Sequence, residues 1–125
     1  MKLGKVNIGD ALSRIDDYWS PRIGGTINDF QLKLVKLQGE FHWHHHDVED
    51  ELFLVVQGRL LMKLEADNGG DIVIEPGEFL VVPHGVRHCP VALTDEVHLM
   101  LLEPATTVNT GEVVNERTVR ELKSI

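Results

Sequence analysis

Four side chains, His44, His46, Glu51 and His88, have the types and spacing of metal ligands. His44 and His46 stand two apart, and alternate side chains of a β-strand share a face, so two imidazoles can grip one ion. Glu51 follows across an acidic turn at 47–50. Antiparallel pairing of 41–46 with 51–57 would set its carboxylate beside His46. His88 begins a returning strand after Pro83 and Gly85. Three neutral imidazoles and one carboxylate form a borderline nitrogen–oxygen site, suited to Fe(II), Mn(II), Ni(II), Zn(II) or Co(II). An octahedral shell around such a set keeps positions open for water, substrate or dioxygen, which separates catalytic from structural sites.

Other side chains surround that group. Phe53 and Val55 share the face of Glu51, so the ion would lie at the mouth of an apolar pocket, the usual form of a small-molecule site. His42 shares the face of His44 and is read either as a substrate contact or as a packed histidine. Phe41, Trp43 and His45 are expected to point the other way. His98 lies in an apolar strand with Met100 and Leu102 on its face. If that face is interior, His98 is a supporting group or proton carrier; a core histidine bonded to backbone is the alternative. Glu51 could leave the ion to act as a base, which makes Glu51 and His98 the catalytic candidates. Cys89 follows His88, faces away from the ion, and reads as a small buried apolar residue. His84 lies in a turn and is expected to be exposed.

The elements that must position these groups are short. Residues 9–18 read as a helix, capped by Asp10 or Ser13, with Ala11, Leu12 and Ile15 as a partial apolar stripe; Pro21 ends it. Strand formers then recur at about ten-residue intervals, over 31–38, 41–45, 51–57, 59–65, 72–75, 79–83, 88–93 and 96–104. Turn signals separate them, DNGGD at 67–71 being the strongest. That rhythm predicts an all-β sandwich or barrel. Several strands are apolar on both faces, so the outer face needs cover from a second sheet, the helix or another subunit; a homodimer is expected. The segment 105–125 is polar, with a turn of helix near 116–122. All 125 residues fit one domain, with a barrel core over about 22–104.

Apolar residues make up 42% of the chain, and 12 basic against 20 acidic residues give a net charge of −8. That balance argues against nucleic acid and anionic membrane as partners, which need clustered Lys and Arg. No run approaches the ~18 apolar residues of a membrane span. The N-terminus lacks the apolar stretch of a signal peptide, and a single cysteine excludes an internal disulfide. A cytoplasmic protein is the simplest fit.

At this point the chain resembles the cupins. Gly39, His44, His46, Glu51 and Gly58 follow the first cupin motif, with the leading glycine one residue closer than usual. Gly77, Pro83, Gly85 and His88 follow the second, with Ala92 in place of its closing Asn. The likeness is greatest to small single-domain cupins, some labelled mannose-6-phosphate isomerase-like. It implies a jelly-roll β-barrel with a short N-terminal helix, a divalent metal held inside by His44, His46, Glu51 and His88, and frequent dimerisation. It does not choose a reaction, because fold alone does not fix function.

Three functions are consistent with these residues. One is a metal-dependent enzyme, such as a dioxygenase, acting on a small molecule. Another is a sugar or sugar-phosphate isomerase or epimerase, with His42 or His98 moving the proton. The third is a module that binds or senses a small ligand without turnover. A phosphosugar needs convergent basic groups, and Arg59 and Arg87 are the basic residues near the motifs, neither clearly aimed inward.

Overall fold

A computed structural model describes residues 3–125. One helix, α1 (Ile8–Ser13), precedes eight strands: β1 (Arg22–Ile27), β2 (Phe30–Leu37), β3 (Glu51–Gln57), β4 (Leu60–Leu64), β5 (Ile72–Ile74), β6 (Phe79–Val82), β7 (His88–Ala92) and β8 (Val97–Pro104). The strands form an antiparallel five-stranded sheet, β1-β2-β8-β3-β6, and a three-stranded sheet, β5-β4-β7. This is the expected all-β jelly roll. Among the described residues no helix is long and apolar enough to cross a membrane.

The helix is shorter than the sequence pattern predicts. Its N-cap is Asn7, whose side-chain oxygen accepts from Asp10 N at 2.9 Å, so neither Asp10 nor Ser13 caps it. Arg14 N and Ile15 N turn back to the carbonyls of Ala11 and Leu12, tightening the last turn. Trp19 then takes a left-handed φ of 60°, which no continuing helix allows.

The expected strand at 41–45 also differs. Residues 41–46 are extended but irregular, and they run beside β7, not β3. His44 N donates to His88 O at 3.0 Å and His88 N to His44 O at 2.9 Å; Phe41 N donates to Pro90 O at 3.0 Å. The reason is the occupancy of edges. β3 already pairs with β6 on one side and β8 on the other, so no edge remains for 41–46. β7 pairs with β4 only and has one free. The turn of helix expected at 116–122 is absent. Instead Ile23 N donates to Lys123 O and Ile125 N to Ile23 O, which ties the end of the chain to the outer edge of β1.

The core lies between the sheets. Phe53, Val55, Val35, Leu37, Leu99 and Leu101 are buried there. The reverse face of the large sheet is partly covered by α1, where Ala11, Leu12 and Ile15 pack on Leu34. The helix thus supplies part of the cover that the doubly apolar strands require.

The interior face also holds charge. Lys33 of β2 pairs in register with Leu101, so the next inward residue along β8, Glu103, lies on its diagonal. Lys33 Nζ meets Glu103 Oε1 at 2.7 Å with both side chains 2% exposed. Removing one member of a buried pair costs about 3–5 kcal/mol, while replacing both with apolar groups of similar volume is often neutral or stabilising. Chemical denaturation should therefore show Lys33→Met strongly destabilised, and Lys33→Met/Glu103→Leu close to wild type. Equal loss in both variants would contradict this reading of the pair.

Candidate metal centre

Backbone pairing and β3 bring the four sequence-predicted ligands together. His44 and His88 face each other across the extended 41–46 segment and β7, with ring centroids 4.3 Å apart. His46 follows two residues on, its carbonyl accepting from Gly85 N at 2.8 Å. Glu51 opens β3. All four side chains are buried, and one ligand atom from each lies within 4.8 Å of every other. Ligands of one ion at metal distances of about 2.0–2.2 Å stand about 3–4 Å apart, so the four side chains are already grouped on the scale of one coordination shell.

The imidazoles are oriented from behind. His44 Nδ1–H donates to His42 O at 3.1 Å, and His88 Nδ1–H to Val86 O at 2.9 Å. A donor role for Nδ1 leaves the Nε2 lone pair facing the cluster. Glu51 Oε1 lies 3.0 Å from His46 Nε2 and 3.4 Å from His88 Nε2. Yet His46 Nε2, Glu51 Oε1 and His88 Nε2 are buried with no well-aligned hydrogen-bond partner. Orphaned polar atoms of this kind are costly. Three of them converging on one point, with hard and borderline donors, fit a divalent ion.

The local electrostatics favour a neutral His44 and an ionised Glu51, and in the absence of an ion they favour a proton on His46. Burial, reinforced by the neighbouring His88, pulls the His44 pKa down to about 3. Burial works against charge on His46, but the Glu51 carboxylate beside it overrides this and raises its pKa. Burial also opposes charge on Glu51; the Glu103, His46 and His88 side chains close against it outweigh this and hold the carboxyl well below its ordinary range. Glu103 moves the other way. Burial and then the Glu51 charge raise it, and Lys33 opposes without cancelling them.

The cluster borders a small cavity of about 40 Å³. His44, Glu51, Glu103 and Asn109 supply its polar edge, and Trp19, Phe41, Phe53, Leu99 and Leu101 are among its apolar walls. Phe53 is where the sequence pattern puts it, while Val55 is in the core but not on this wall.

Several expectations are corrected. Phe41 faces inward, stacked on Trp19 at 4.5 Å, because 41–46 does not alternate like a regular strand. His42 stands outside the ligand group. Its ring lies on Phe41, and its nitrogens sit 3.5 Å from Thr110 O and 3.3 Å from Asn115 Nδ2, so it packs against the C-terminal segment. His98 is on the wrong face of β8: Val97, Leu99, Leu101 and Glu103 point inward, and His98 Nε2 bonds Glu96 at 2.7 Å outside. It is withdrawn as a proton carrier. His45 does turn away, toward Asp47 and Glu112. His84 is exposed beside Asp50, and Cys89 is fully buried.

Sequence reasoning missed Lys33, Glu103, Trp19 and the C-terminal segment. Glu103 had a signal: it continues the period-two set Leu99, Leu101. The segment 105–125 had none, because it packs through single hydrogen bonds. Glu112 Oε2 accepts from His45 N at 2.8 Å, and Gly111 sits directly behind the ligand-bearing backbone.

A family model described as a cupin domain matches residues 33–104. The crystal structure of a cupin-2 domain containing protein from Shewanella frigidimarina is similar, with 40% identity and a TM-score of 0.74, covering 79% of this chain and 93% of that one. An uncharacterised Bacillus subtilis protein, YdbB, is 36% identical over 62 residues, 50% of this chain and 53% of its own. Acireductone dioxygenase of Bacillus licheniformis is 31% identical over 65 residues, 50% of this chain and 36% of its own. The matches thus span about half of the first of these curated relatives and about a third of the second.

Gly111 offers a test of the buttress behind the ligands. Its φ is +63°, and a Cβ there would collide with the His45 carbonyl oxygen and approach His44 Cδ2 at 2.9 Å; at Gly69, φ +93°, a Cβ meets nothing within 4 Å. Left-handed strain alone costs about 1–2 kcal/mol, and overpacking adds about 1–3. Thermal unfolding should show Gly111→Ala losing clearly more stability than Gly69→Ala. Equal losses would mean that the C-terminal segment does not press on the site.

Proposed function

The chain belongs to the cupin family, and from that premise we propose that it binds one divalent metal ion through His44, His46, Glu51 and His88 and acts on, or binds, a small molecule in the adjoining cavity. The observation that carries this reading is the convergence of three buried, unpartnered ligand atoms beside an apolar space. Fe, Mn, Ni and Zn all suit the donor set. When bound, such an ion supplies Lewis acidity and a template for an oxygen ligand. The chain's own residues do the rest. Val86 and His42 carbonyls fix the imidazole tautomers, Glu51 offsets part of the ion's charge, and Trp19, Phe41 and Phe53 exclude water around the ligand.

Oxygen-dependent chemistry is the first enzymatic option, supported by the partial likeness to a protein named as a dioxygenase. Sugar-phosphate isomerisation is less well supported, since among the described residues no Lys or Arg lines the cavity and Lys33, behind its edge, is already bound to Glu103. Glu51 remains the candidate base. Non-catalytic ligand sensing uses the same site and differs only in turnover. A cytoplasmic homodimer belongs to the same proposal. The exposed Ile72 and Val73 on β5 and Phe79 and Val81 on β6 support self-association, and the buried lone cysteine suits a reducing compartment.

Elemental analysis of protein purified without chelators tests the reading. About one ion per chain is expected for wild type. His46→Ala and Glu51→Ala should each lose it while keeping the far-ultraviolet circular dichroism of the folded chain. Full occupancy in both variants, or less than roughly a tenth of an ion in wild type after soaking with each metal, would overturn the assignment.

A further inference from the structure

Glu103 is not among the metal ligands, yet it is 1% exposed and forms part of the cavity edge. Its Oε1 is taken by Lys33 at 2.7 Å, and its Oε2 is buried with no partner but the neighbouring Glu51 carboxyl. The β3–β8 pairing explains why it is there. Leu52 opposes Leu102 and Phe53 opposes Leu101, so continuing that register sets Glu103 beside Glu51 on the same inward face. A buried carboxyl anchored through one oxygen is a fixed group, and with Glu51 turned to an ion its other oxygen needs a new partner.

Charge and size narrow what that partner is. A divalent ion held by one carboxylate and three neutral imidazoles leaves a buried positive charge uncompensated, which favours an anionic ligand. The Lys33–Glu103 pair is neutral as an ion pair, and a proton on Glu103 would only increase the excess. A cavity of about 40 Å³ holds roughly three water-sized groups. Its largely apolar walls give a polyol or phosphosugar few partners for its many polar atoms. A hydroxyl suits the remaining carboxyl oxygen because it can both donate and accept.

We infer that the site takes a small hydroxylated monoanion, of the size of a two- or three-carbon hydroxy acid, with its anionic oxygen toward the ion and its hydroxyl on Glu103. This rests on the metal-site reading above and adds a ligand-contacting residue to it. Lys33 is the positioning residue that keeps Glu103 turned toward the cavity.

The test compares glycolate with acetate on the Zn(II)-loaded protein, by calorimetry. Chelation alone favours glycolate, so the informative quantity is the change in the glycolate-to-acetate affinity ratio on mutation. Lys33→Met/Glu103→Leu, which strands no buried charge, should lower that ratio at least tenfold and leave acetate affinity within about twofold, as loss of one hydrogen bond to a charged group predicts. Glu103→Gln should keep most of the ratio, since an amide also donates and accepts. In the wild-type protein, methoxyacetate, which keeps the chelating oxygen but lacks the hydroxyl proton, should bind at least tenfold more weakly than glycolate. An unchanged ratio in the double variant, or methoxyacetate equal to glycolate, overturns the inference while leaving the metal site standing. Wild-type protein that takes up no Zn(II) overturns both.

Discussion

Buried side-chain atoms without partners are the constraint around which this fold is arranged. His46 Nε2, Glu51 Oε1 and His88 Nε2 converge between two β-sheets, and each orphaned group costs about 1–3 kcal/mol. A chain with only marginal net stability keeps such a cluster when something returns that cost, and an ion bound to the folded state alone does so by mass action. The same atoms that weaken the barrel are those that would hold an ion.

The barrel holds them still through elements that are otherwise ordinary. β3 is paired on both edges, so Glu51 at its start has a fixed backbone. The 41–46 segment cannot join that sheet and is held against β7 by reciprocal bonds between His44 and His88. Two ligands thus share one pair of backbone hydrogen bonds. Behind them, Gly111 and Glu112 press the C-terminal segment against His44 and His45. In front, Trp19 stacks on Phe41, and Arg117 lies over both rings at 5.0 and 5.5 Å. The first and last parts of the chain therefore meet at the cavity, outside the stretch that the family model matches.

Much of this was legible in the residues. The strand rhythm and the inward Phe53 follow from alternation and turn chemistry, which are local, whereas His44, His46, Glu51 and His88 come together through pairing with β7 in place of the expected pairing of 41–46 with 51–57. What failed was what depends on partners. The 41–46 segment has strand-like composition, but which edge is free to receive it is a property of the whole sheet. His98 went to the wrong face because β8 is apolar on both, so alternation gave no phase; Glu103, the one charged residue near its end, carried that phase. His42 and the C-terminal segment were unreadable for a related reason. Their contacts are hydrogen bonds to Thr110 and Asn115, between residues far apart in sequence and without periodicity.

The most direct measurement is anomalous diffraction at the absorption edge of the metal found in the purified protein. A single strong peak is expected about 2.0–2.2 Å from Nε2 of His44, His46 and His88 and from a carboxylate oxygen of Glu51, bordering the cavity edged by Glu103. A peak elsewhere, for example among His45, Asp47 and Glu112, with the four buried side chains paired to one another or to water, would contradict the four-ligand site.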